Sequence, residues 1–157
     1  DGGHKRDSFL VETLGPIVEW VSVCPEVEAG FGTPREAIQL VRDPTDLDGV
    51  RLATRHTGVD LTRRMRKYAR RRVRELTKEQ LSGYILKKDS PTCGMEQVKV
   101  WHHSGTNESN GQGIFAGELL LQFPTMPVEE EGRLHDPKLL EDFIDRVFMY
   151  HRLRNYG

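Results

Sequence analysis

Cysteine is scarce in this chain: 157 residues hold two, Cys24 and Cys93. Two are too few for a disulfide scaffold. They also fall short of a zinc site, which takes four protein ligands when structural and three when catalytic. The six histidines do not fill that gap, because none shows ligand spacing and His102-His103 is the one adjacent pair. Long apolar runs are missing too, and none approaches the roughly 18 residues that cross a bilayer. Excess charge is nearly absent at −1, so bulk charge does not point to nucleic acid. The opening residues Asp1-Gly2-Gly3-His4-Lys5-Arg6-Asp7 contain no apolar secretory stretch and no methionine. A cytoplasmic, reducing compartment is expected, and the chain reads as part of a longer protein.

What is present suits one folded domain. The hydrophobic share is 36%, and counting glycine the apolar share is about 45%, the low edge of ordinary globular composition. A chain of this length buries ~70% of its extended surface on folding. Charge is unevenly placed. Residues 61–80 carry nine basic groups against Glu75 and Glu79, leaving +7 there and a net acidic remainder. No internal repeat is visible.

Local pattern predicts alternating strands and helices. Residues 8–14 suggest a short helix closed by Gly15 and Pro16. Ile17 to Val23 is β-branched and mostly apolar, which predicts a buried strand, with a loop over 25–35. Short strands are expected at 39–42 and 50–54. Asp60 is a candidate N-cap for a helix whose Leu61, Met65, Tyr68, Ala69, Val73 and Leu76 follow 3–4 spacing. Residues 83–87 predict a second buried strand, and 96–101 a further one. Residues 102–113 read as a mobile polar loop, 114–122 as a helix and 127–131 as an edge strand. Asp136 caps a last helix over about 137–153, with Leu140, Phe143, Ile144, Val147, Phe148 and His151 on one stripe. The expected fold is a single α/β, Rossmann-like domain, with a mainly parallel sheet and helices on both faces. Ligands in such folds sit beyond the carboxyl ends of strands. Each cysteine follows one of the two best strands, which can bring them together.

Several residues can carry chemistry. Cys24-Pro25-Glu26 sets a thiol two positions from a carboxylate, a potential metal ligand or nucleophile beside a base. It equally fits a buried thiol next to a surface glutamate. Ser90-Pro91-Thr92-Cys93-Gly94 gathers two hydroxyls, a thiol and backbone N–H groups that can ligate a metal or hold an anion. It also fits a plain turn capped by Ser and Thr. The basic helix can bind phosphate, form a solvated face, or dock another domain. Glu129-Glu130-Glu131 fits a solvated edge, and the glycine-rich start a weak phosphate nest.

Six stretches in order resemble one family. They are Asp1 to Asp7, Val23-Cys24-Pro25-Glu26-Val27-Glu28-Ala29-Gly30, Gly32-Thr33-Pro34-Arg35, Thr57-Gly58-Val59-Asp60-Leu61-Thr62, Leu86-Lys87-Lys88-Asp89-Ser90-Pro91-Thr92-Cys93-Gly94-Met95, and Glu129-Glu130-Glu131-Gly132-Arg133-Leu134. Over essentially its whole length the chain resembles the iron–sulfur-dependent desulfidases, long filed as a domain of unknown function. Thiouracil desulfidases and tRNA 4-thiouridine desulfidases belong to that family. The resemblance implies a [4Fe-4S] cluster on three cysteines with one iron open to the substrate sulfur. Cys24 and Cys93 match two of the three. The third belongs to a segment before Asp1, which implies that an N-terminal strand and the first cluster cysteine are missing from this chain.

The same resemblance implies Glu26 as the base that activates water, with Glu28 as a fallback near the substrate. Ser90 would position or protonate the pyrimidine. Arg35, Lys87 and Lys88 would hold the pyrimidine or an adjacent phosphate. The substrate implied is a thiolated pyrimidine, either 4-thiouridine in tRNA or free thiouracil. The stretch from Glu129 and the last helix resemble longer members, which implies a further C-terminal domain docked to this one and no membrane partner. Two alternatives stay open. One is an RNA-binding module without catalysis acting through helix 60–76, and the other is a cluster-free cysteine hydrolase.

Overall fold

The computed structural model describes residues 6–46 and 49–157. The glycine-rich nest suggested at the start therefore lies outside the described residues. In chain order the elements are α1 (Ser8–Leu14), α2 (Pro25–Glu28), β1 (Ile38–Arg42), β2 (Val50–Thr54), α3 (Thr62–Leu76), β3 (Tyr84–Leu86), β4 (Val98–Trp101), β5 (Asn107–Gly111), α4 (Ile114–Gln122), β6 (Val128–Glu130) and α5 (Pro137–Tyr156).

Four strands form one sheet in the order β2-β1-β4-β5, and β3 pairs with β6 in a second. The β1–β4 and β3–β6 pairings are parallel, and β2 and β5 close the larger sheet as antiparallel edges. The expected α/β architecture is realised as this mixed arrangement. Leu40, Leu52, Val98 and Val100 project from the larger sheet onto Met65, Ala69 and Leu76 of α3 and Phe115 and Leu119 of α4. Burying each such leucine or phenylalanine contributes about 1.5–3 kcal/mol. The β3–β6 pair is covered on both faces. Leu86 and Val128 join that core, while Ile85 packs with Leu10, Leu14, Leu134, Leu140 and Phe143 from the α1 and α5 side. Among the described residues no helix is long and apolar enough to cross a membrane.

Four expectations change. Residues 17–23 form no strand: Ile17 N–H and Val18 N–H turn back onto Leu14 O at 2.9 and 3.1 Å, residues 18–23 are irregular, and Ile17 and Trp20 are 47% and 48% exposed. β-branched side chains favour extended backbone, but burial comes only from what packs against them. Part of the expected loop 25–35 is the helix α2, started by Pro25 at its first turn. The polar segment after β4 is not a loop throughout. It turns at Gly105 (φ 88°) and returns as β5, whose side chains are nearly all solvated and so leave no apolar period to read. Finally, β6 is an edge strand, pairing only with β3 among the described residues, but not a solvated one: Val128, Glu129 and Glu130 are all buried. The Asp60 cap holds in function, since its Oδ1 accepts from Thr62 N–H at 2.9 Å, although the helix begins at Thr62.

Candidate active site

The chain leaves the carboxyl end of β3 through Lys87-Lys88-Asp89 and enters the turn that carries Ser90, Thr92 and Cys93. Ser90 organises this turn, its Oγ accepting from Thr92 N–H at 3.3 Å and Cys93 N–H at 3.1 Å. Gly94 N–H closes the turn on Ser90 O at 2.8 Å. The start of α4 fixes it from below. Ile114 and Ala116, whose N–H groups have no partner within a helix's first turn, donate to Pro91 O and Thr92 O at 3.3 and 3.1 Å. Gly113 makes this approach possible, because a Cβ there would lie 2.4 Å from Thr92 O.

Cys24 stands as the N-cap residue of α2. Within the first turn of that helix, Glu26 reaches the turn after β3, accepting from the Thr92 hydroxyl at 2.5 Å. Ser90 Oγ lies 3.0 Å from Thr92 Oγ1, so a chain of hydroxyls runs from Ser90 through Thr92 to Glu26. Glu28 uses both of its oxygens elsewhere, on Cys24 N–H at 2.8 Å and on Arg72 Nε at 2.9 Å.

Cys93 is partly exposed at its surface but crowded by protein atoms. Burial pushes its thiol up to about 12, and the Glu26 carboxylate and Cys24 add to that rise, against the Thr92 and Ser90 hydroxyls. The charge of Cys24 is thus felt at Cys93, 69 positions away in sequence. Behind them, the Tyr68 hydroxyl is buried with no hydrogen-bond partner, and burial with Glu28 nearby raises its pKa. Tyr84 is raised chiefly by burial, with the charge of Cys93 second.

The remaining residues singled out in the sequence are more dispersed. Lys87 and Lys88 are exposed on the rim at the end of β3, and Lys88 N–H donates to Glu131 Oε2 at 3.0 Å. Arg35 is tied to Gly32 O at 3.0 Å. It lines a separate cleft with Phe31, Glu36 and Arg64. Of α3, Arg72 turns inward to Glu28, whereas Arg63, Arg66 and Lys67 are exposed. Sequence reasoning undervalued Thr92, which is fully buried and joins both loops. Its position between Ser90 and Cys93 was the available signal. It also missed Glu130, 4% exposed, whose Oε2 has no partner.

Two neighbouring thiols make a soft donor pair suited to iron. They fit as two legs of a cluster, which takes more thiolates than two. Among the described residues no group of three His, Cys, Asp or Glu side chains completes a metal site.

Known proteins bear on this arrangement in three ways. A solved structure of a [4Fe-4S]-dependent thiouracil desulfidase, TudS, superposes with a TM-score of 0.61 at 23% identity, covering 88% of this chain and 83% of that one. That likeness establishes the fold. The uncharacterized protein YbbK of Bacillus subtilis (strain 168) is 30% identical over 138 residues, 87% of this chain and 89% of its own length. The family model described as 2-thiouracil desulfurase matches residues 1–131, and the chain belongs to that family.

Proposed function

We propose that this protein removes sulfur from a thiolated pyrimidine without net electron transfer, replacing C=S by C=O with water as the oxygen source. The carrying observation is the Thr92–Glu26 hydrogen bond, which sets a carboxylate beside the Cys93 thiol. Cys24 and Cys93 hold a [4Fe-4S] cluster together with a third cysteine that is not among these residues. When bound, the cluster supplies an open iron that polarises the C–S bond as a Lewis acid.

The chain's own groups do the proton work. Glu26 takes a proton from the attacking water, and the Thr92 hydroxyl keeps the carboxylate aimed. Ser90 holds the turn, and its hydroxyl proton, directed at Thr92 Oγ1 here, turns to the pyrimidine when substrate enters. Lys87 and Lys88 stand at the rim where a ribose phosphate would lie. Sulfur leaves as sulfide, so carbon keeps its oxidation state and the water oxygen stays on the ring.

The finer substrate is 4-thiouridine within tRNA. Support comes from α3, where Arg63, Arg66 and Lys67 form an exposed stripe with no carboxylate partner among the described residues, suited to a phosphodiester backbone. Free thiouracil is the other candidate and needs no such stripe. Anaerobic reconstitution with iron and sulfide, followed by turnover of 2-thiouracil and of thiolated tRNA, tests both. Absence of thiolate-to-iron absorption in protein that includes a third cysteine would end the cluster reading. Turnover of the free base alone would remove the tRNA substrate.

A further inference from the structure

Of the nine basic groups between residues 61 and 80, Arg72 behaves differently from its neighbours. Its side chain is 17% exposed, against 64% for Arg70 and for Arg71. It crosses from α3 to α2 and donates from Nε to Glu28 Oε1 at 2.9 Å. The other Glu28 oxygen accepts from Cys24 N–H at 2.8 Å. A single carboxylate, 44 positions from Arg72 and four from Cys24, thus links a helix side chain to the backbone of a cysteine. Both steps are charge-assisted, the stronger class of hydrogen bond.

Glu28 would be a poor group to leave alone there. Its side chain is 32% exposed and it stands next to a thiol and the buried Tyr68 hydroxyl. A carboxylate without Arg72 would place uncompensated negative charge beside the cysteine pair. Arg72, whose Nη1 also lies 3.5 Å from the exposed Glu75 Oε2, offsets that charge, and the geometry is set by two directional bonds to Glu28.

We propose that Arg72 is a positioning residue for the cysteine site: through Glu28 it fixes the backbone of Cys24 and cancels the carboxylate charge beside it. Glu28 then serves Cys24 and not the substrate, in place of the substrate contact that the family resemblance suggested. The electronic half of this assignment rests on the desulfidase reading, while the backbone half does not.

Two measurements test it. In reconstituted protein, Arg72→Gln leaves Glu28 uncompensated and lowers the reduction potential of the bound cluster. Glu28→Gln removes that negative charge and raises the potential, and the double variant returns close to the parent value. A mere staple between α2 and α3 would not give opposite signs. Shifts of the same sign, or none, overturn the assignment.

In metal-free protein, hydrogen exchange at the Cys24 amide quickens roughly tenfold in Arg72→Gln, the loss expected for one charge-assisted bond. Amides of β1 and β4 exchange as before, and Arg72→Lys recovers part of the protection. Cys24 exchange unchanged in Arg72→Gln also overturns the proposal. A protein that takes up no iron at all sinks the desulfidase reading instead, and leaves the amide exchange to decide the link.

Discussion

The Thr92 hydroxyl donates to the Glu26 carboxylate at 2.5 Å, joining the turn after β3 to α2 across 66 residues of sequence. Thr92 is fully buried, and the same oxygen lies 3.6 Å from Cys93 Sγ. One hydroxyl therefore fixes the distance between a carboxylate and a thiol that arrive from different parts of the chain.

Replacing Thr92 with valine keeps shape and removes that hydroxyl. Ser90 Oγ and Glu26 then each lose a partner, at a stability cost of about 1–2 kcal/mol. Turnover of thiouracil should fall by about tenfold to a hundredfold, a loss of base positioning within the range of general-base effects. Thr92→Ser should retain most of the activity. Steady-state kinetics on the three proteins, with urea melts alongside, checks both halves. Equal activity in Thr92→Val would remove Thr92 from the mechanism.

Gly113 is the structural counterpart. A Cβ at this position would meet Thr92 O at 2.4 Å and Cys93 N at 2.7 Å, both backbone atoms that cannot step aside. Gly113→Ala must push α4 off the turn, with an overpacking penalty of about 1–3 kcal/mol. Because the displaced atoms belong to Thr92 and Cys93, activity should fall further than in a surface variant of the same helix. Leu121→Ala is a suitable control, since Leu121 is 79% exposed.

The legible parts of the molecule were those with a period. The stripe on α3 and the cap at Asp136 predicted their helices, because one buried face and a side-chain cap write themselves into local sequence. The segment 17–23 misled because its composition reports backbone preference, while its burial depends on a neighbour. β5 was hidden for the opposite reason, as a solvated strand keeps no apolar alternation. At the site, Cys24, Glu26, Ser90 and Cys93 were named from motifs. The Arg72–Glu28–Cys24 link was not, since an inward arginine among eight other basic residues has no local mark.

Iron removal separates the cluster reading from the cysteine-hydrolase alternative. The main core is built from Leu40, Leu52, Met65, Leu76, Val100, Phe115 and Leu119, and Cys93 only borders it. Chelation should abolish desulfidation while far-UV circular dichroism stays unchanged. A thiol nucleophile would need no metal, so full activity after chelation would favour the hydrolase.

Away from the site, Asp43 should set part of the acid stability. Its Oδ1 accepts from the Thr45 hydroxyl at 2.6 Å and the Thr45 N–H at 2.8 Å, and its Oδ2 from Arg51 Nε at 2.8 Å. Those partners, Thr45 first, hold the Asp43 carboxyl down to about 2. Arg51 reaches on to Asp60, whose other oxygen caps Thr62 at the start of α3. The hairpin of β1 and β2 is thus tied to the helix through one carboxylate. An unfolded aspartate titrates near about 3.9, so the folded state binds fewer protons between that value and about 2. The contribution is complete above about pH 4 and is lost as pH falls toward 2. Asp43→Asn should therefore be less stable than the parent at pH 7, with the gap closing across that acid window. Urea melts from pH 7 to pH 2 follow it directly. A gap that stays constant over the window would mean that Asp43 acts through packing and not through its charge.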